Sequence, residues 1–373
     1  LAEQTCRMGD EQLTILQIKE KIKNCKPFIA SEGWILINEV NGAGFKATAK
    51  DLDQISTTQP LILAGSDGHT AWLNTLGLQQ SNITDKTPNP ASGRIERDMQ
   101  GHATGFLIDE AVNLAYAVIP TATKRQKISA ITETLPRLHA SGITSFLEAN
   151  VSDENFDAFY TLAKNNELNA RVNLARSSNS VISDTQFQHL EQQKKLAEQT
   201  KYLRANFIKL FADGVLEYPT QSAALLSPYT DVNGKPSNNV GKLYISQQEM
   251  NLIVNEADKR GFGVHVHAIG DAATQTALNA FEAARKNGST NNYSISHLQL
   301  IAESDYPRFA ANKVLASFQL FWAQPENYSI EAVLPYIGKQ RHSRMYPAAS
   351  LLKSGATIAG GSDWNVSTFN PMQ

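Results

Sequence analysis

Several things are scarce in this sequence, and each shortage excludes something. Among 373 residues there are two cysteines, Cys6 and Cys25. Neither lies in a Cys-x-x-Cys or Cys/His zinc spacing, and two in so long a chain make no disulfide framework. Free thiols are the expectation. Pairing across a helical hairpin is the alternative in an oxidising compartment. No sign of charge dominates: 34 Lys and Arg face 36 Asp and Glu, a net charge of −2, without a long run of either. A nucleic-acid groove or a basic membrane-binding face is therefore not expected. No apolar run approaches the roughly 18–20 residues of a membrane span. No G-x-G-x-x-G or P-loop opens a helix, which weakens an open, doubly wound nucleotide-binding sheet. Neither an initiator Met nor a signal peptide is visible at Leu1, and the chain stops just after a strand-like segment. Both ends read as cut, so a longer natural protein is expected. A cytoplasmic location is favoured and a periplasmic one stays open.

What is present is alternation. From about residue 122, helical patterns lead in turn to seven strand candidates: 143–149, 170–176, 205–214, 264–269, 293–300, 314–320 and 357–363. Strands each preceded by a helix argue for a parallel sheet. Seven such units suggest a (β/α)8 barrel whose first strand is lost or rearranged. Before them, residues 1–24 form a helical segment. Residues 25–120 are an inserted α+β subdomain, with a helix start after the His69 turn and a loop or short hairpin over 81–105. Residues 121–373 are the barrel.

The chemistry gathers at strand ends. In Gly261–Asp271, GFGVHVHAIGD, His265 and His267 lie two apart and leave the same face of a strand. Other polar residues end the neighbouring strands: Glu148, Arg176, Lys209, Asp213, His297, Gln319 and Asp363. A barrel collects such residues over one mouth. Two histidines and an aspartate there suit a divalent transition metal, zinc first, which activates water. A lone histidine in a strand is more often a core residue, and His102, His139, His189 and His342 are read as surface or core residues. Trp34, Trp72, Trp322 and Trp364 are candidates for an apolar pocket, Trp364 foremost because it follows Asp363.

At this point the residues resemble a family. SDGHTAWLNTLGL (66–78), NFIKLFADGVLE (206–217), VHVHAIGDAA (264–273), SISHLQLI (294–301) and AGGSDWNVSTFNPM (359–372) are similar, in order, to motifs of the amidohydrolase superfamily. The branch is that of N-substituted formamide deformylase and exoenzyme regulatory protein homologues. The resemblance implies a bacterial-type, TIM-like metal-dependent hydrolase barrel with a small β-domain that is absent from this chain. It implies a metal set of Lys209, His267, His297 and Asp363, with one or two zinc ions and Lys209 open to carboxylation. Asp363 would also be catalytic. His69, in DGHT, matches a family segment near the substrate pocket; by their own positions Trp364 and Arg341 are candidates to meet substrate, with a solvated surface loop the alternative for Arg341, and His265, Asp271 and Asp213 are candidates to support the ligands. The implied activity is hydrolysis of a C–N bond in an amide, N-formyl or cyclic amide. The partner would be a small molecule, not nucleic acid or membrane, and a homodimer is admitted. The family's first-strand His-x-His pair is absent. A fragment of an active enzyme is expected, and the alternative is a non-catalytic binding or regulatory protein on the same scaffold.

Overall fold

The computed structural model describes residues 6–9, 11–24, 33–42, 45–178, 182–326, 328–364 and 366–371. Two sheets organise it. The first has six strands: β1 (Cys6–Arg7), β2 (Ile35–Val40), β3 (Leu61–Gly65), β4 (Thr70–Leu73), β5 (Gly93–Arg97) and β6 (Ala103–Asp109). Their order is β1-β2-β3-β4-β6-β5, parallel from β1 to β3 and antiparallel from there on. The second holds β7 (Ser145–Val151), β8 (Arg171–Ser177), β9 (Leu203–Phe211), β10 (Gly263–Ala268), β11 (Tyr293–His297), β12 (Val314–Phe318) and β13 (Thr357–Gly360). These seven are all parallel and lie in chain order.

The seven expected strands are thus all present, each after a helix. The helices begin where the sequence offers caps. Thr123, Ser183 and Ser246 each accept the N–H three residues on, and Gln126, Gln186 and Glu249 return the bond. Strand alternation then sorts the side chains. Leu210, Val264, Val266, Ile295 and Phe318 face the helices in one buried core. Lys209 pairs in register with His265, and Phe211 with His267, on the other face.

The sheet is curled. Glu148, in the middle of β7, feels the charge of Asp363 just beyond β13, although the two strands are not hydrogen-bonded neighbours. Arg137, in the helix before β7, likewise lies 4.7 Å from the Phe369 ring. The first and last strands are therefore brought face to face.

Two readings are corrected and one is sharpened. Thr70–Leu73 is a strand rather than a helix start; the helix begins at Thr75, after Asn74 caps it. Of the loop or short hairpin expected over 81–105, the chain carries the hairpin, β5 and β6. Cys6 is disulfide-bonded, against the expectation of free thiols. β1 buries it in a core with Met8, Ile18 and Ile37, so the helix Ile15–Asn24 belongs to the first sheet's layer. The sequence's other cysteine, Cys25, lies outside the described residues. Among the described residues no helix is long and apolar enough to cross a membrane.

Candidate active site

A cavity of about 320 Å³ opens at the C-terminal ends of the parallel strands. Lys209, His267, His297 and Asp363 all line it, and His69 joins them from the turn between β3 and β4. The His267 and His297 rings lie 4.5 Å apart, edge to face, and the His69 ring is 5.5 Å from that of His267. A larger cavity, about 940 Å³, opens among residues such as Ser145, Arg171 and Tyr293 at the opposite ends of the strands. It holds none of the candidate residues.

Backbone geometry aims two of these side chains. In the parallel register His297 pairs with Ala268, whose side faces the helices. Simple alternation would therefore bury His297 away from the cavity. Its φ of +76° breaks the strand and turns the ring inward. Asp363 has a φ of +50°. Positive φ at a non-glycine residue costs energy and clusters at functional sites.

Each ring is held by a partner. His297 Nδ1–H donates to Gln319 Oε1 at 2.8 Å, which leaves Nε2 with its lone pair. The His267 Nε2–H donates to the Gly214 carbonyl at 3.0 Å. His69 Nδ1–H donates to Asp109 at 2.7 Å. Trp322 stacks on His297, with centroids 5.5 Å apart and planes 4° from parallel.

Burial dominates the electrostatics. It pushes His267 well below the usual imidazole range, with the charges of His297 and Lys209 adding to the effect. His297 falls to about 4, although Asp363 opposes the shift. Both rings are thus neutral at pH 7, the form that ligates metals. Desolvation likewise lowers Lys209 to about 8, against the pull of Asp363. Glu148 rises to about 7, first through desolvation and then through Asp363.

The donor types, two imidazoles with a carboxylate, fit a zinc-like ion. The free His297 Nε2 fits directly, whereas His267 Nε2 is engaged by a carbonyl. Among the described residues no three His, Cys, Asp or Glu side chains are already gathered closely enough to hold an ion.

The other expected residues divide. His265 is buried beneath the cavity, its Nδ1 2.7 Å from Ser294 Oγ. Asp213 accepts the N–H groups of Ile269, Gly270 and Ala224, and so holds the turn that follows β10. Burial pushes its carboxyl up to about 7 against those three donors. Asp271 accepts from Leu226 and Ala272 and does not orient His267. Arg341 does not reach the cavity: its guanidinium clasps the carbonyls of Ser227, Pro228 and Ile337. Trp364 packs on Phe369 and does not line the cavity; Trp322 supplies the indole instead. Trp34 and Trp72 are core. Glu217, Gln299, Tyr328 and Tyr346 also line the cavity and were not singled out. Their only sequence signal was proximity to the motifs, with Glu217 ending FADGVLE and Gln299 lying two residues after His297.

A family model described as "Amidohydrolase family" matches residues 2–373. The exoenzymes regulatory protein AepA of Pectobacterium carotovorum subsp. carotovorum is 33% identical, across 72% of this chain and 57% of that protein. The N-substituted formamide deformylase of Arthrobacter pascens is 23% identical, across 87% of this chain and 59% of that enzyme. The chain thus spans under two thirds of the length of either. A solved structure of an uncharacterized metal-dependent hydrolase from Pyrococcus horikoshii OT3 covers 99% of this chain and 69% of its own. It superposes with a TM-score of 0.71 at 22% identity, which shows a shared fold. With the family model matching nearly end to end, this chain belongs to the amidohydrolase family.

Proposed function

We propose that the protein is a metal-dependent hydrolase of carbon–nitrogen bonds in an amide, N-formyl or cyclic amide substrate. One observation carries the reading: Lys209, His267, His297 and Asp363 line a single cavity at the strand ends. Seven strands of an eight-stranded barrel supply the scaffold. One or two divalent ions, zinc by donor type, would be held by His267, His297 and Asp363, with Lys209 joining once carboxylated. Such an ion, when bound, polarises a carbonyl and acidifies water.

The remaining work falls to the chain. Burial keeps both imidazoles neutral and brings the Lys209 amine within reach of its neutral form, the form that can take up carbon dioxide. Gln319 fixes the His297 ring. The Asp363 carboxylate takes a proton from attacking water and returns it to the leaving nitrogen. Trp322 and Phe211 wall the cavity with aromatic surface and limit water around the reacting bond.

The test is turnover of a panel of N-acyl and N-formyl amines by full-length protein, stripped of metal and then reloaded with Zn²⁺. Metal-dependent release of amine supports the reading, and its absence across the panel rejects it. The bond from His267 Nε2 to the Gly214 carbonyl favours a second reading, a non-catalytic binding or regulatory protein. That protein would bind small amides without turning them over.

A further inference from the structure

Two acceptor oxygens on the cavity have no hydrogen-bond partner among the described residues: Gln299 Oε1 and Glu217 Oε2. Gln299 is 3% exposed. Burial holds the neighbouring Glu217 carboxyl above its ordinary range, against its own backbone N–H and the Gln299 side chain. Glu217 keeps one oxygen, Oε2, unmet as well. Asp67 adds negative charge beside it, and its own oxygens already accept from the His69 and Thr70 N–H groups and the Thr70 hydroxyl. His69, the nearby group of opposite tendency, is tied to Asp109.

Buried acceptors without donors are unfavourable, and a native structure keeps them where water, an ion or a ligand supplies what they lack. A carboxylate and a carbonyl, both unmet, call for a group with several N–H donors and positive charge. We propose that Glu217 and Gln299 recognise a protonated amino group on the molecule that enters this cavity. An ammonium donates one N–H to Glu217 Oε2 and a second to Gln299 Oε1. An alcohol offers a single donor, and a carboxylate is repelled. Calling that molecule a substrate rests on the hydrolase reading; the binding site itself does not.

The experiment separates the two. Calorimetry on full-length protein compares n-butylammonium with 1-butanol, for wild type, Glu217→Gln and Gln299→Leu, with thermal unfolding as the fold control. The KM values of N-formyl-1,4-diaminobutane and N-formylpentylamine are measured alongside. Butylammonium is expected to bind in preference to butanol and to lose about tenfold in affinity in Glu217→Gln, the size of a lost charge-assisted bond. The KM for the amino-bearing formamide is expected to rise by a similar factor, with the neutral one unchanged. Equal butylammonium affinity in wild type and both folded variants overturns the proposal, as does equal KM for the two formamides. Ammonium binding that depends on Glu217, with neither formamide hydrolysed, sustains the subsite and counts against the hydrolase.

Discussion

His297 depends on a neighbour that sequence spacing could only hint at. Gln319 was recognisable as a polar residue ending a strand, but not as the acceptor that fixes the Nδ1 proton. Replacing it with leucine removes that acceptor while keeping the volume similar. Zn²⁺ affinity, measured by competition with a chromogenic chelator, should fall about 10–100-fold, with the fold retained. Unchanged affinity would mean that the ring is oriented by packing on Trp322 alone. Glu148 gives a pH signature in metal-free protein. Its folded pKa, about 7, stands above its ordinary value of 4.5, so the folded state holds the proton more tightly. Its contribution to stability is full below about pH 4.5 and is lost as pH rises through 7. Glu148→Gln should remove that decline, a gain at pH 8 on the order of 2 kcal/mol after allowing for partial solvent screening. Urea unfolding of both proteins at pH 4.5 and pH 8 checks it. Parallel pH profiles would show that neither burial nor the Asp363 charge raises Glu148 in the folded state.

The strand–turn unit after β10 carries the site at the scale of elements. The His267 turn is built on three N–H bonds to one carboxylate, that of Asp213, fully buried. Asp213→Ala leaves three buried donors unmet. It should cost on the order of 3–5 kcal/mol, read as a lower Tm, and should loosen His267 as well. A loss below about 1 kcal/mol would show that water replaces the carboxylate freely. The parallel strands were legible because alternating apolar residues and helix caps repeat locally. β4 was harder. In β4, Ala71, Trp72 and Leu73 are all buried, so the usual period of two is missing. His297 was found by its motif and not by periodicity, since only the positive φ brings it to the cavity. Arg341 and Trp364 were misplaced for a common reason. Position in the sequence set them near Asp363, but side-chain direction, fixed by tertiary partners, points them elsewhere.

At the scale of the molecule, curling of the seven-stranded sheet brings residues as far apart as Glu148 and Asp363 into electrostatic contact. The first sheet then adds His69, backed by Asp109, across the mouth. Composition indicated a large α/β chain with this alternation, but not which loops would close the cavity. Glu217 and Gln299 depend on that closure, so they could not be read in advance. The central claim is that these elements converge on a divalent-ion site. Its most direct test is the metal content of full-length protein after gel filtration, by mass spectrometry, in wild type, His297→Ala and Asp363→Ala. At least about one retained ion per wild-type chain, lost in both folded variants, is the predicted result. No retained ion in wild type after reloading with Zn²⁺, or equal retention in all three proteins, would contradict it.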